Sequence, residues 1–130
     1  MIKKKILLID DEREFADMIT MRLRASGYEV LVSVDGPSGL ERARKERPDL
    51  VILDIVLPKL DGHRVCQSIK SEAQLSGIPV ILLSGKDQAT LDGMKKSAIA
   101  DAYFLKPVED RELLDKIKVL LRKKGEPDAQ

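Results

Sequence analysis

Asp10, Asp11 and Glu12 stand directly behind the apolar run Ile6-Leu7-Leu8-Ile9, and Asp54 follows Leu50-Val51-Ile52-Leu53 in the same way. Ser84 and Gly85 close a third such run, 80–83, and Lys106 and Pro107 close a fourth, 103–105. Carboxylates gathered at one place repel, and at least one takes up a proton unless a cation joins them. An all-oxygen donor set without Cys or His suits a hard divalent ion, and Mg²⁺ is commonly held by few protein ligands. The Lys106 ammonium gives a reason for an anion as well. A phosphoryl group there would be neutralised by the metal and Lys106 together, with the Ser84 hydroxyl as hydrogen-bond donor. A remaining carboxylate could then act as nucleophile and form an acyl phosphate.

These side chains act together only if the elements before them end on one rim. The apolar runs 6–9, 28–34, 50–53, 80–83 and 103–105 have strand length. Four are near-continuous and aliphatic, as in strands covered on both faces of a parallel sheet. The run 28–34 alternates instead, which suits an edge strand. Between the runs lie stripes of helical period: Phe15, Met18, Ile19 and Leu23; Leu40 and Ala43; Val65, Cys66 and Ile69; Leu91, Met94 and Ala98; and Leu113, Ile117, Leu120 and Leu121. Strand and helix thus alternate throughout, which predicts an α/β fold: a doubly wound, five-stranded parallel sheet with helices on both faces. In such a sheet ligands sit beyond the carboxyl ends of the strands. Those ends carry Asp10, Asp11, Asp54, Ser84 and Lys106.

Composition narrows the function classes. The chain has 130 residues with Lys+Arg 23 against Asp+Glu 22, a net charge of +1, which argues against wrapping nucleic acid or coating an anionic membrane. Aromatics make up 3% and Trp is absent, so base-stacking platforms are disfavoured. One Cys (Cys66) and one His (His63) exclude an internal disulfide and a Cys/His zinc cage. Cys66 reads as a small core residue, and His63 as a solvent-facing residue at the start of a helix. No run approaches the roughly 20 apolar residues of a membrane span. The opening Met1-Ile2-Lys3-Lys4-Lys5 and its short apolar run are followed by acid, unlike a signal peptide. A cytoplasmic protein is the expectation.

Four stretches then fall into one pattern: Leu8-Ile9-Asp10-Asp11-Glu12; 53–62, with Asp54, Pro58 and Asp61-Gly62; Leu83-Ser84-Gly85; and Tyr103-Phe104-Leu105-Lys106-Pro107. In this order the chain resembles the receiver domains of two-component response regulators, over about residues 3–123. We read 1–124 as the domain and 125–130 as a polar C-terminal tail. The resemblance implies a flavodoxin-like sheet of order 2-1-3-4-5 and a cis bond at Lys106–Pro107. It implies that Asp54 accepts a phosphoryl group from a sensor histidine kinase or phosphotransfer protein. Mg²⁺ would be held by Asp10, Asp11 and Asp54 with the Val56 carbonyl. Lys106 would pair with the phosphoryl group, and Ser84 and Tyr103 would move together as the switch. The downstream protein partner would dock on the face of the fourth helix, fifth strand and fifth helix. Nucleic acid and membrane are not expected as direct partners, and the domain would be a monomer or a phosphorylation-dependent dimer. Val56 and Lys86, two positions after Asp54 and Ser84, would flank the path of hydrolytic water. Ile99 stands about where such domains commonly carry Gly, which raises the expectation of a different end to the fourth helix.

Each residue also has a plainer reading. Asp10 to Glu12 could cap the following helix, Ser84 could be a loop hydroxyl, and Tyr103 a strand aromatic. Two rivals to a phosphorylatable switch are a small Mg²⁺-dependent phosphatase and a constitutive interaction module. The first usually wants a second Asp two residues after the nucleophile, where this chain has Val56. The second is disfavoured because the acidic and basic site residues are all present.

Overall fold

The computed structural model describes residues 2–85, 87–97 and 99–123. Lys86, Ala98 and the 125–130 tail therefore lie outside the described residues. The elements are β1 (Lys5–Ile9), α1 (Arg13–Ala25), β2 (Glu29–Ser33), α2 (Gly36–Glu46), β3 (Leu50–Asp54), α3 (Gly62–Ser71), β4 (Val80–Ser84), α4 (Gln88–Ser97), β5 (Ala102–Leu105) and α5 (Asp110–Lys123). The sheet is five-stranded and all parallel, in the order β2-β1-β3-β4-β5. The order reverses between β1 and β3, so the crevice beyond their carboxyl ends is the place a ligand would enter.

Two apolar layers hold the sheet between the helices. Ile6, Leu8, Ile52, Ile81 and Leu83 point into one layer, with Ile19 and Leu23 of α1 and Leu113 and Ile117 of α5. Leu7, Ile9, Val51, Leu53, Val80 and Leu82 point into the other, with Leu40 and Ala43 of α2 and Val65 and Ile69 of α3. Alternate residues of β1, β3 and β4 thus feed opposite layers, and burial on both faces explains their unbroken aliphatic runs. Cys66 is fully buried in the second layer, and burial pushes its thiol up to about 11. The helices begin where the local chemistry allows. Asp35 and Asp61 cap α2 and α3 by accepting from the backbone N–H of Ser38 and Arg64. Gly39 lets α2 approach β1, because a Cβ there would sit 2.5 Å from the Ile9 side chain.

Two expectations need correction. The run 103–105 reads as a strand covered on both faces, yet β5 is a sheet edge with Tyr103, Phe104 and Leu105 half-buried. His63 is half-buried rather than open to solvent. Among the described residues no helix is long and apolar enough to cross a membrane.

Candidate functional site

The carboxyl rim is built from strand ends whose direction is fixed by the ladder. Asp10 continues β1 by donating its backbone N–H to Ser33 O at 3.0 Å, and its side chain is drawn under the rim, leaving the residue 1% exposed. Its Oδ1 accepts from the Glu12 N–H at 2.8 Å. Asp54 is the last residue of β3 and 6% exposed, with Oδ1 accepting from the Val56 N–H at 3.1 Å. The loop behind it turns back at once: Gly62 donates to Ile55 O at 2.7 Å, and a Cβ on Gly62 would meet Asp54 O at 2.0 Å. Only glycine fits so close an approach, which gives the Asp61-Gly62 pair its physical reason.

Lys106 reaches into this cluster from the end of β5. Its backbone N–H donates to Ser84 O at 2.7 Å, and the Lys106–Pro107 bond is cis, as the resemblance implies. Lys106 Nζ lies 2.6 Å from Glu12 Oε1, 2.9 Å from Asp54 Oδ2 and 2.8 Å from Asp10 Oδ2. It also sits 4.2 Å from the centre of the Phe15 ring. Asp10 Oδ2 is near the ammonium, yet it is buried without a well-formed hydrogen bond. One oxygen from each of Asp10, Glu12 and Asp54 falls within 4.8 Å of the others.

The electrostatics follow from three carboxylates sharing one ammonium. Burial pushes the Asp10 carboxyl above its ordinary value, and the contact with Lys106 only partly offsets it. Burial also disfavours the charged form of Lys106, but the close contact with Asp10 and the hydrogen bonds with Glu12 and Asp54 together outweigh it and raise its pKa. Both members of one ion pair are thus shifted upward. The causes differ: Asp10 is raised chiefly by its burial, which its contacts with Lys106 and the Glu12 N–H do not offset, whereas Lys106 is raised by three anionic partners that outweigh its own burial. A buried oxygen without a directed partner, in an all-oxygen cluster short of positive charge, fits a hard divalent cation such as Mg²⁺.

The residues singled out in the sequence divide into two groups. Asp10, Asp54 and Lys106 come together, and Ser84 is fully buried at the end of β4, paired with Leu105 in the ladder. Asp11 is exposed and stands outside the carboxylate group, whose third member is Glu12. Val56 is 53% exposed beside Asp54. The Tyr103 hydroxyl accepts from the Ala100 N–H at 2.8 Å, which ties its ring to the chain entering β5. Ile99 is half-buried and packs against the second core layer. Sequence reasoning missed Glu12 and Phe15 as neighbours of Lys106. The available signal was that they lie three residues apart at the start of one helix, a spacing that shares a face.

Comparison with known proteins agrees with this geometry. The response regulator receiver domain family matches residues 6–118. The chain is 36% identical over 122 residues to the alkaline phosphatase synthesis transcriptional regulatory protein PhoP of Bacillus subtilis, covering 94% of this chain and 50% of that one. It is 37% identical to the DNA-binding dual master transcriptional regulator RpaA of Synechocystis, covering 92% and 49%. The chain therefore spans about half the length of these curated relatives. Among solved structures, a CheY-like response regulator receiver domain protein of Methanospirillum hungatei superposes with a TM-score of 0.85 at 31% identity, covering 95% of this chain and 97% of that one. Sequence, topology and the acidic rim agree, and this chain belongs to the response regulator receiver domains of two-component signalling.

Proposed function

We propose that the domain is a phosphorylation-driven switch in which Asp54 is the phosphoacceptor. The observation that carries this reading is the Asp54 carboxylate itself: nearly buried at a strand end, 2.9 Å from the Lys106 ammonium and grouped with Asp10 and Glu12. An Asp54 oxygen would form the bond to phosphorus as the phosphorus–nitrogen bond of a phosphohistidine breaks. The electron pair would stay on the imidazole nitrogen, which takes up a proton. Lys106 would neutralise the phosphoryl oxygens, and the Ser84 hydroxyl would donate to one of them. The proposed Mg²⁺ ligands are the carboxylates of Asp10, Asp11 and Asp54 and the carbonyl of Val56. Bound there, the ion supplies positive charge where the phosphoryl oxygens develop negative charge. The same groups would serve the domain's own dephosphorylation.

The donor in this reading is a sensor histidine kinase or a phosphotransfer protein in the cytoplasm. The receiver unit spans 1–124, and Ser84 with Tyr103 would relay phosphorylation to the α4–β5–α5 face, where a protein partner docks. The domain would act as a monomer or a phosphorylation-dependent dimer. RpaA is named a DNA-binding regulator, and the chain matches about half of it. To this chain, with its net charge of +1, we assign the switch rather than the DNA contact. A phosphatase reading is weaker, because the exposed residue two after Asp54 is Val56, which can neither give nor take a proton.

A small phosphodonor with Mg²⁺ should label the wild-type protein with a base-labile group, and Asp54→Asn should abolish the label while the amide spectrum stays folded. Stoichiometric label in Asp54→Asn would contradict the assignment.

A further inference from the structure

We propose that Phe15 is a positioning residue for this chemistry, its ring face holding the Lys106 ammonium over Asp54. The inference rests on the reading of Asp54 as phosphoacceptor and names a residue that reading does not use. Phe15 lies in the first turn of α1, half-buried and packed against the α1–α5 core layer, so its ring is held by its surroundings. Lys106 Nζ stands 4.2 Å from the ring centre, within the range in which an ammonium is attracted by the ring quadrupole. The Lys106 side chain is 9% exposed, and that attraction is stronger where water is excluded.

The ring matters because of what happens to the other three contacts. Asp10, Glu12 and Asp54 hold the ammonium at 2.6–2.9 Å while no cation competes. A divalent ion among these carboxylates draws their charge away from Lys106, and phosphorylation of Asp54 replaces one of them by the phosphoryl oxygens. A phenyl ring does not ligate a hard cation, accepts no phosphoryl group and is unchanged by either event. It is therefore the neighbour of Lys106 that persists through each state. Without it, the flexible four-carbon stem of Lys106 is free to follow Glu12, whose side chain is 66% exposed. Glu12 and Phe15, three residues apart at the start of α1, meet the same ammonium as charge and ring.

The test compares wild type, Phe15→Leu, Phe15→Met and Phe15→Tyr, with phosphoramidate as phosphodonor at saturating Mg²⁺. Leu and Met keep an apolar side chain without a π face, and Tyr keeps the face. Both aliphatic variants should label about three- to tenfold more slowly, the weight of a partly desolvated cation–π contact. Phe15→Tyr should restore the rate. The Lys106 ε-methylene protons, shielded by the ring in wild type and Phe15→Tyr, should move downfield in the aliphatic variants. Labelling at the wild-type rate in both aliphatic variants would overturn the inference while leaving the Asp54 reading intact. Equal slowing in Phe15→Tyr would also overturn it, as a packing effect. If wild type itself took no label, the Asp54 reading would fall and the inference with it. In that case unchanged Lys106 signals in the aliphatic variants would separately refute the ring contact.

Discussion

The two rims of the sheet carry the same kinds of residue and use them differently. At the amino rim, Lys70 Nζ donates to Ile78 O at 3.0 Å and to Asp101 Oδ2 at 2.7 Å, and that carboxylate accepts from the Val80 N–H at 2.7 Å. Lys5 pairs with Glu46 through its ammonium at 3.1 Å, and its backbone N–H donates to Asp49 at 2.7 Å. There each lysine meets one carboxylate and the strand starts are stitched together. At the carboxyl rim one ammonium faces Asp10, Glu12 and Asp54, and the side chains of Asp10 and Asp54 are 0% and 8% exposed. Charge at a strand end is thus no mark of function in itself. An imbalance of charge, held out of water, is what leaves a site able to attract a ligand.

The largest expected effect comes from deepening that imbalance. Lys106→Met should cost about 3 kcal/mol in urea unfolding at pH 7, because removing one partner of a buried ion pair strands the others. Adding Mg²⁺ should recover part of the loss. At the balanced rim, Asp101→Ala should cost less, about 1–2 kcal/mol, since Asp101 is a third exposed and water replaces some of what it gives Lys70 and Val80. Mg²⁺ should recover none of it, and labelling of the folded variant should match wild type. The smallest effect should have the opposite sign. Burial raises the folded-state pKa of Asp10 above its unfolded value, so its ionised form costs stability, fully so above the folded pKa. Asp10→Asn should therefore raise stability slightly in Mg²⁺-free buffer at pH 7, by under about 1 kcal/mol, because an amide oxygen still accepts from the Glu12 N–H. The gain should shrink as pH falls through the Asp10 pKa, and Mg²⁺ should bind the variant more weakly. A loss of stability in Asp10→Asn comparable to that in Asp101→Ala would erase the distinction between the rims.

Much of the carboxyl rim was legible because a parallel sheet aligns every strand's carboxyl end. Once 6–9, 50–53, 80–83 and 103–105 read as strands, Asp10, Asp54, Ser84 and Lys106 had to share one edge. The sheet order came from the resemblance and not from periodicity. That is why the apolar run of β5 gave no sign that Tyr103 to Leu105 would be half-buried at an edge. The contact of Glu12 with Lys106 was illegible for a local reason. Glu12 is the N-cap of α1 and makes no side-chain cap, so its carboxylate is available to Lys106, while Asp11 turns to solvent. Phe15 and Asp101 were hidden by ordinary chemistry, one as a member of a core stripe and the other as an acid in a short linker. Their roles appear only when β5 is laid beside β4 and Lys106 is brought over α1.

The most direct test of the imbalance is a Mg²⁺ titration followed by amide resonances of the unphosphorylated protein. Shifts should concentrate at residues 10–12, 54–56 and 106, saturate with one ion bound, and be absent from Lys70, Val80 and Asp101. A spectrum unmoved by millimolar Mg²⁺, or shifts of equal size at both rims, would contradict the account.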